Sequence, residues 1–246
     1  MLVLLFIVAL WAGTQNALGG GGSFVTLPAL ILSGLDARAA NIASTLALFP
    51  GQVTTGWVGR RMVAGAAGLG FRVLVLISLA GGAIGAGLLL LTPSNFFARL
   101  VPWLVLFATG LFAWGAFAPR SIAKAPALSP RLAAGLQFLI AIYGGYFGGG
   151  IGFLMLAALT AAGDAVRTAA ATKNVLAAVM NAGAVVIFAF TPAIPWQRVA
   201  VVSVGAMAGG WAGAWLLKRV DERLIRGFVI VLGLCLTVAL FVRGVR

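Results

Sequence analysis

Two glycine clusters, Gly19-Gly20-Gly21-Gly22 and Gly148-Gly149-Gly150, each open a short apolar stretch. A glycine turn that feeds a helix leaves backbone N–H groups unpaired at the positive end of the helix dipole, which suits an anion without any charged side chain. Glycine also lets the backbone approach a ligand closely. Ser23 is the expected N-cap of a short helix over 24–33. The long apolar stretches that follow carry polar groups. Thr45 and Gln52 are seven residues apart and share a helix face, as do Asn174 and Asn181. Ser44 precedes Thr45, and Lys173 precedes Asn174. Amides and hydroxyls in an apolar setting are costly unless bonded, so they either join other helices or line a wet cavity. Lys173 is the charged side chain placed inside such a stretch, where it either snorkels to the surface or supplies positive charge to an anion. The expected binding set for a small anion is Gly20, Gly21, Gly22, Ser23, Ser44, Thr45, Gln52, Gly148, Gly149, Gly150, Lys173, Asn174 and Asn181.

The rest of the inventory removes most other chemistry. There is no histidine, one cysteine (Cys235) and four acids (Asp36, Asp164, Asp221 and Glu222). That leaves no Ser-His-Asp triad, no His-ligated zinc or haem, no internal disulfide, and too few carboxylates for a metal centre or a proton relay. An enzyme is not expected, nor a cofactor or metal. Of the 246 residues, 62% are hydrophobic and 9% charged, against about 45–50% and about 25% in a soluble chain. Mean hydropathy is +1.12. These values predict a multi-pass protein of the cytoplasmic (inner) membrane, with the lipid bilayer as its main partner. The formal charge of +13 sits in short gaps between apolar runs, where the positive-inside rule puts it, and no nucleic-acid partner is expected.

Six apolar runs are long enough to cross a bilayer as helices: 40–58, 72–91, 97–117, 169–190, 199–217 and 225–243. Two regions differ. Residues 2–12, interrupted at Gly13-Thr14-Gln15-Asn16 and again at the first glycine cluster, are followed by 24–33; residues 132–147, the second cluster and 151–162 repeat the pattern. Short helices around a glycine break read as hairpins or broken helices, which irregular backbone permits at membrane depth only where protein buries it or a cavity opens. The apolar start has the length of a signal-peptide core but no basic lead, and it recurs internally, so it is read as part of the fold.

The chain repeats itself. A shift of 129 residues lays Gly19-Gly20-Gly21 on Gly148-Gly149-Gly150, Phe24 on Phe153, Leu27 on Leu156, Gly34 on Gly163, Arg38 on Arg167, Thr45 on Asn174 and Gln52 on Asn181. At 128, Gly81, Gly82 and Gly85 fall on Gly209, Gly210 and Gly213. Helix packing is the expected role of this second set. If each broken pair counts as two crossings, twelve basic residues fall on one face and five on the other. That solution obeys the positive-inside rule, makes the element count per half odd, and puts both termini outside the cytoplasm. The expected fold is an all-α polytopic membrane protein with two inverted repeats, each a Gly-rich broken-helix hairpin plus three full transmembrane helices. The repeats span 1–118 and 131–246, joined by a loop over 119–130. Such folds bind substrate near the midplane between the repeats.

The stretch GGGGSFVTLPALILSGLDARAANIASTLA (19–47), echoed by GGGIGFLMLAALTAAGDAVRTAAATKNVLA (148–177), resembles the TauE/SafE sulfite exporter family. Ser44-Thr45 and Thr172-Lys173-Asn174 fall on the family's hydroxyl-bearing opening of the next span. The order is Ser-Thr rather than Thr-Ser in the first half, and Ala157 stands where the pattern has Pro in the second. The resemblance implies transport of a small sulfur-containing anion such as sulfite or an organosulfonate. A passive small-anion channel, or a carrier of another oxyanion or a carboxylate, are the alternatives, and a homo-oligomer is compatible with either.

Overall fold

The computed structural model describes residues 1–18, 21–117, 128–192, 194–216 and 222–243. Its described residues form helices α1 (Leu2–Leu18), α2 (Ser23–Leu32), α3 (Ala37–Gly59), α4 (Phe71–Leu91), α5 (Ser94–Phe117), α6 (Pro130–Tyr146), α7 (Ile151–Ala161), α8 (Val166–Ala189), α9 (Trp196–Leu216) and α10 (Glu222–Arg243). A helix satisfies its own backbone hydrogen bonds, which lipid requires of a spanning segment. The six expected crossings fall one each on α3, α4, α5, α8, α9 and α10. Three segments, Phe71–Leu91, Ser94–Leu111 and Val166–Ala189, are long and apolar enough to cross a membrane by length and composition. The chain is an all-α membrane protein.

Local chemistry sets the helix ends. The Asp36 carboxylate accepts from the N–H groups of Arg38 and Ala39 and caps α3. Ser129 caps α6 by accepting from Leu132 N–H, and Pro130 takes a first-turn position where no donor is needed. Ser23 does not act as the expected cap. It is the first residue of α2, Gly22 holds the cap position, and no side chain bonds there. The first apolar stretch also differs from expectation, because α1 runs through Gly13-Thr14-Gln15-Asn16 unbroken. Gly13 is a packing residue: a Cβ on it would stand 1.9 Å from the Ala206 carbonyl oxygen. Thr14 donates to the Leu10 carbonyl of its own helix at 2.9 Å, with the Gly209 carbonyl of α9 at the same distance.

Helix contacts run between the two halves of the sequence. α1 packs on α9 and α6 on α4, while α3 touches α9 and α8 touches α4. α2 lies on α3 and α7 on α8; α3 meets α8, and α5 meets α10. Under the sequence shift α1 maps on α6, α2 on α7, α3 on α8, α4 on α9 and α5 on α10, so each of these contacts maps onto its counterpart or itself. The turns match too. Gly21 and Gly150 share φ of +86° and +75°, and Gly34 and Gly163 share +93° and +99°. After α2, Leu35 N–H reaches the Leu30 carbonyl; after α7, Asp164 N–H reaches that of Leu159.

Small residues make the cross-half contacts, as expected where lipid offers no hydrophobic drive between helices. A Cβ on Gly82 would lie 2.2 Å from the Met180 carbonyl oxygen, one on Gly85 2.1 Å from that of Ile142, and one on Gly209 1.8 Å from that of Leu10. Trp57, Trp103, Trp196 and Trp211 stay exposed on the outer surface, where a bilayer interface suits their amphipathic rings.

Candidate functional site

A left-handed glycine leads into each short helix, Gly150 at the cap of α7 and Gly21 one residue before the cap of α2, and both glycines face one cavity of about 260 Å³. The walls between them come from α3 and α8. Thr45 and Gln52 of α3 line it, as their spacing predicts, and so do Asn174 and Asn181 of α8. Ser23, Ser44, Gly148 and Lys173 complete the expected residues found there. Three of the expected set stand apart. Gly20 lies outside the described residues. Gly22 turns toward α1, where an added Cβ would meet the Ala12 carbonyl oxygen at 2.9 Å. Gly149 packs on the Phe147 ring, 2.5 Å from where its Cβ would be.

The polar wall is wired across the cavity. Asn181 donates its side-chain N–H to the Gln52 carboxamide oxygen at 2.6 Å, while Asn181 Oδ1 is buried without a partner. The Thr26 hydroxyl donates to the Gly22 carbonyl at 3.3 Å and lies 2.6 Å from Ser44 Oγ. Lys173 is partly buried, and its ammonium opens beside Gly152, 3.3 Å from the position of an absent Cβ. Among the described residues, Lys173 is the only ionisable side chain in the lining. The surroundings hold neutral donors and acceptors and a few apolar groups such as Leu48 and Phe147. Such a set can hold a small anion through dipoles, N–H groups and one positive charge. Among its described residues the lining holds no histidine, cysteine or carboxylate.

Other polar residues of the long helices serve packing. Asn41 donates to the Tyr146 carbonyl at 3.0 Å, and Thr172 accepts from Ala64 N–H at 3.1 Å. Thr54 and Thr55 bond carbonyls of their own helix, although Thr55 also reaches the cavity wall. Arg38 spends its guanidinium on the Leu90 and Thr92 carbonyls at the end of α4. Tyr143 and Tyr146 pack against Phe107 and Phe97 and do not line the cavity.

Sequence reasoning missed Asn16, Phe147, Ile151 and Gly152, which line the cavity. The repeat offered a signal for Gly152, since the shift places it on Ser23. Asn16 sits in the polar patch that interrupts the first apolar stretch in sequence but not α1 in structure.

An all-α membrane bundle that encloses a polar cavity between two pairs of short helices suits a membrane transporter. The family model for sulfite exporter TauE/SafE matches residues 5–240, and the chain belongs to that family. It is 28% identical to a probable membrane transporter protein of a Sinorhizobium species, over 98% of this chain and 92% of that one. It is 28% identical to a probable membrane transporter protein of Haemophilus influenzae, over 96% and 93%. Another such protein, from Escherichia coli, is 26% identical over 94% of this chain and 86% of its own.

Proposed function

We propose that this transporter carries a small sulfur-containing anion, sulfite or an organosulfonate, across the cytoplasmic membrane by alternating access. The observation that carries the reading is the single cavity into which both left-handed glycine turns, the polar faces of α3 and α8, and the Lys173 ammonium converge. The N-termini of α2 and α7 contribute about half a positive charge each, and Lys173 a full one. No carboxylate stands among the described lining residues to oppose an anion. The two halves act as inverted repeats, with the substrate near the midplane between them. Their helices interdigitate, so the moving bodies are the packed groups α1–α2–α3–α9 and α6–α7–α8–α4, which meet at α3 and α8.

Counterflow in proteoliposomes tests the reading. Vesicles loaded with unlabelled sulfite, or separately with a short sulfonate, should transiently accumulate a labelled trace of that anion above equilibrium. Equilibration without overshoot assigns the cavity to a passive channel instead. Flux of small carboxylates alone moves the assignment to another anion class.

A further inference from the structure

The two halves of the cavity are related by the repeat, yet their chemistry is opposite. On the α7 side, Lys173 presents an ammonium that has no hydrogen-bond partner among the described residues. Beside it the N–H groups of Ile151 and Gly152 have no acceptor among those residues, because the first hydrogen bonds of α7 come from Phe153 and Leu154 to Gly150. Gly152 makes the convergence possible: a side chain there would begin 3.3 Å from Lys173 Nζ. Under the shift of 129, Lys173 falls on Ser44 and Gly152 on Ser23, so the α2 side has neither the ammonium nor the bare position.

The α2 side is tuned the other way. The Thr26 hydroxyl reaches the Gly22 carbonyl at 3.3 Å and lies 2.6 Å from Ser44 Oγ, so with its one proton on the carbonyl the short contact takes the Ser44 proton. Ser44 Oγ is left to accept. Thr26 has no hydroxyl counterpart in the second half, where the shift gives Met155. Charge decides where an anion sits. The α7 side offers a dipole of about half a charge plus a full ammonium, whereas the α2 side offers the dipole alone.

We propose that the cavity is polarised: an oxyanion head sits between the Lys173 ammonium and the free N–H groups at the start of α7, and a neutral tail bearing a hydrogen-bond donor points at Ser44. The inference rests on the anion-transport reading and narrows it to a small monoanion whose tail carries a hydroxyl-type donor. Gly152 and Ser44 are then the specificity-determining residues, and Lys173 holds the charge.

Binding of ethanesulfonate and 2-hydroxyethanesulfonate to the full chain in nanodiscs, followed calorimetrically, tests it. The hydroxylated anion should bind about 5–10-fold more tightly, the worth of one additional hydrogen bond. Ser44→Ala should bring the two affinities within about twofold of each other. Lys173→Met and Gly152→Val should each weaken both anions by about tenfold or more, since each removes or displaces a charged donor. Equal wild-type affinities, a preference that survives Ser44→Ala, or unweakened binding in Lys173→Met overturns the polarity. The wild-type comparison stands even where a variant does not fold. If the wild type binds neither sulfonate nor the matching carboxylates, the anion-transport reading falls, and this inference with it.

Discussion

Gln52 and Asn181 are hydrogen-bonded at 2.6 Å, and the 129 residues between them are the shift that lays one half of the chain on the other. Two residues that hold the same place in the two halves of the sequence thus touch each other directly. The bond therefore marks the place where α3 and α8 meet beside the cavity.

Removing either amide should hurt more than its share. Gln52→Ala leaves the Asn181 amide without its acceptor, and Asn181→Ala strands Gln52, at about 1–3 kcal/mol each. The double variant should cost less than the sum of the singles, by a coupling of about 0.5–3 kcal/mol. Thermal unfolding of the four proteins in one detergent measures the cycle. The double variant should also lose counterflow, and unchanged transport would remove both residues from the site.

Lys173→Met should separate stability from function. An ammonium without a protein partner in a partly buried site gives the empty fold little, so the variant should unfold at the same temperature as the wild type or higher. Anion uptake should fall by about tenfold or more. A variant that transports normally but unfolds early would show that Lys173 is structural.

The packing glycines should be intolerant where the backbone of another helix is close. Gly82→Val and Gly209→Val would drive side chains into the Met180 and Leu10 carbonyls and cost about 1–3 kcal/mol or more. Gly87 is the internal control, since nothing lies within 4 Å of its Cβ position. Gly87→Ala should be neutral or stabilise by about 0.5–1 kcal/mol through helix propensity. Similar losses at Gly82 and Gly87 would mean that composition, not contact, sets the requirement.

The left-handed turn at Gly150 predicts an order of tolerance. Gly150→Ala places a Cβ in a conformation costing about 1–2 kcal/mol, with Ala108 Cβ already 3.1 Å away. Gly150→Asn should be milder in backbone terms, because asparagine visits this region more readily. Unfolding temperatures in the order wild type, Asn, Ala support the turn assignment; Ala equal to wild type contradicts it.

Much of the site was legible because it is written in spacing. Seven-residue separations put Thr45 with Gln52 and Asn174 with Asn181 on single faces, and both pairs do line the cavity. Their role in binding is a proposal, but their convergence is a fact of the fold. What escaped reading depended on neighbours distant in sequence. Gly22 and Gly149 look like Gly21 and Gly150 along the chain, yet they pack against the Ala12 carbonyl and the Phe147 ring and do not line the cavity. The polar patch at Gly13–Asn16 resembles a break, yet α9 supplies the surface that keeps α1 helical through it.

The sequence by itself determined that this chain is helical and belongs in a membrane, roughly where its helices run, and that its two halves echo each other. Those properties follow from local apolar content and from glycine turns, which act within a few residues. Tertiary structure alone decided that α1 lies on α9 and α6 on α4, which glycines pack and which face the cavity, and that Lys173 shares its space with Gly152. Lipid tails are as apolar as the helices, so hydropathy places a helix in the membrane without choosing its partner. That choice falls to close backbone approach at small residues and to the few polar groups that must find each other.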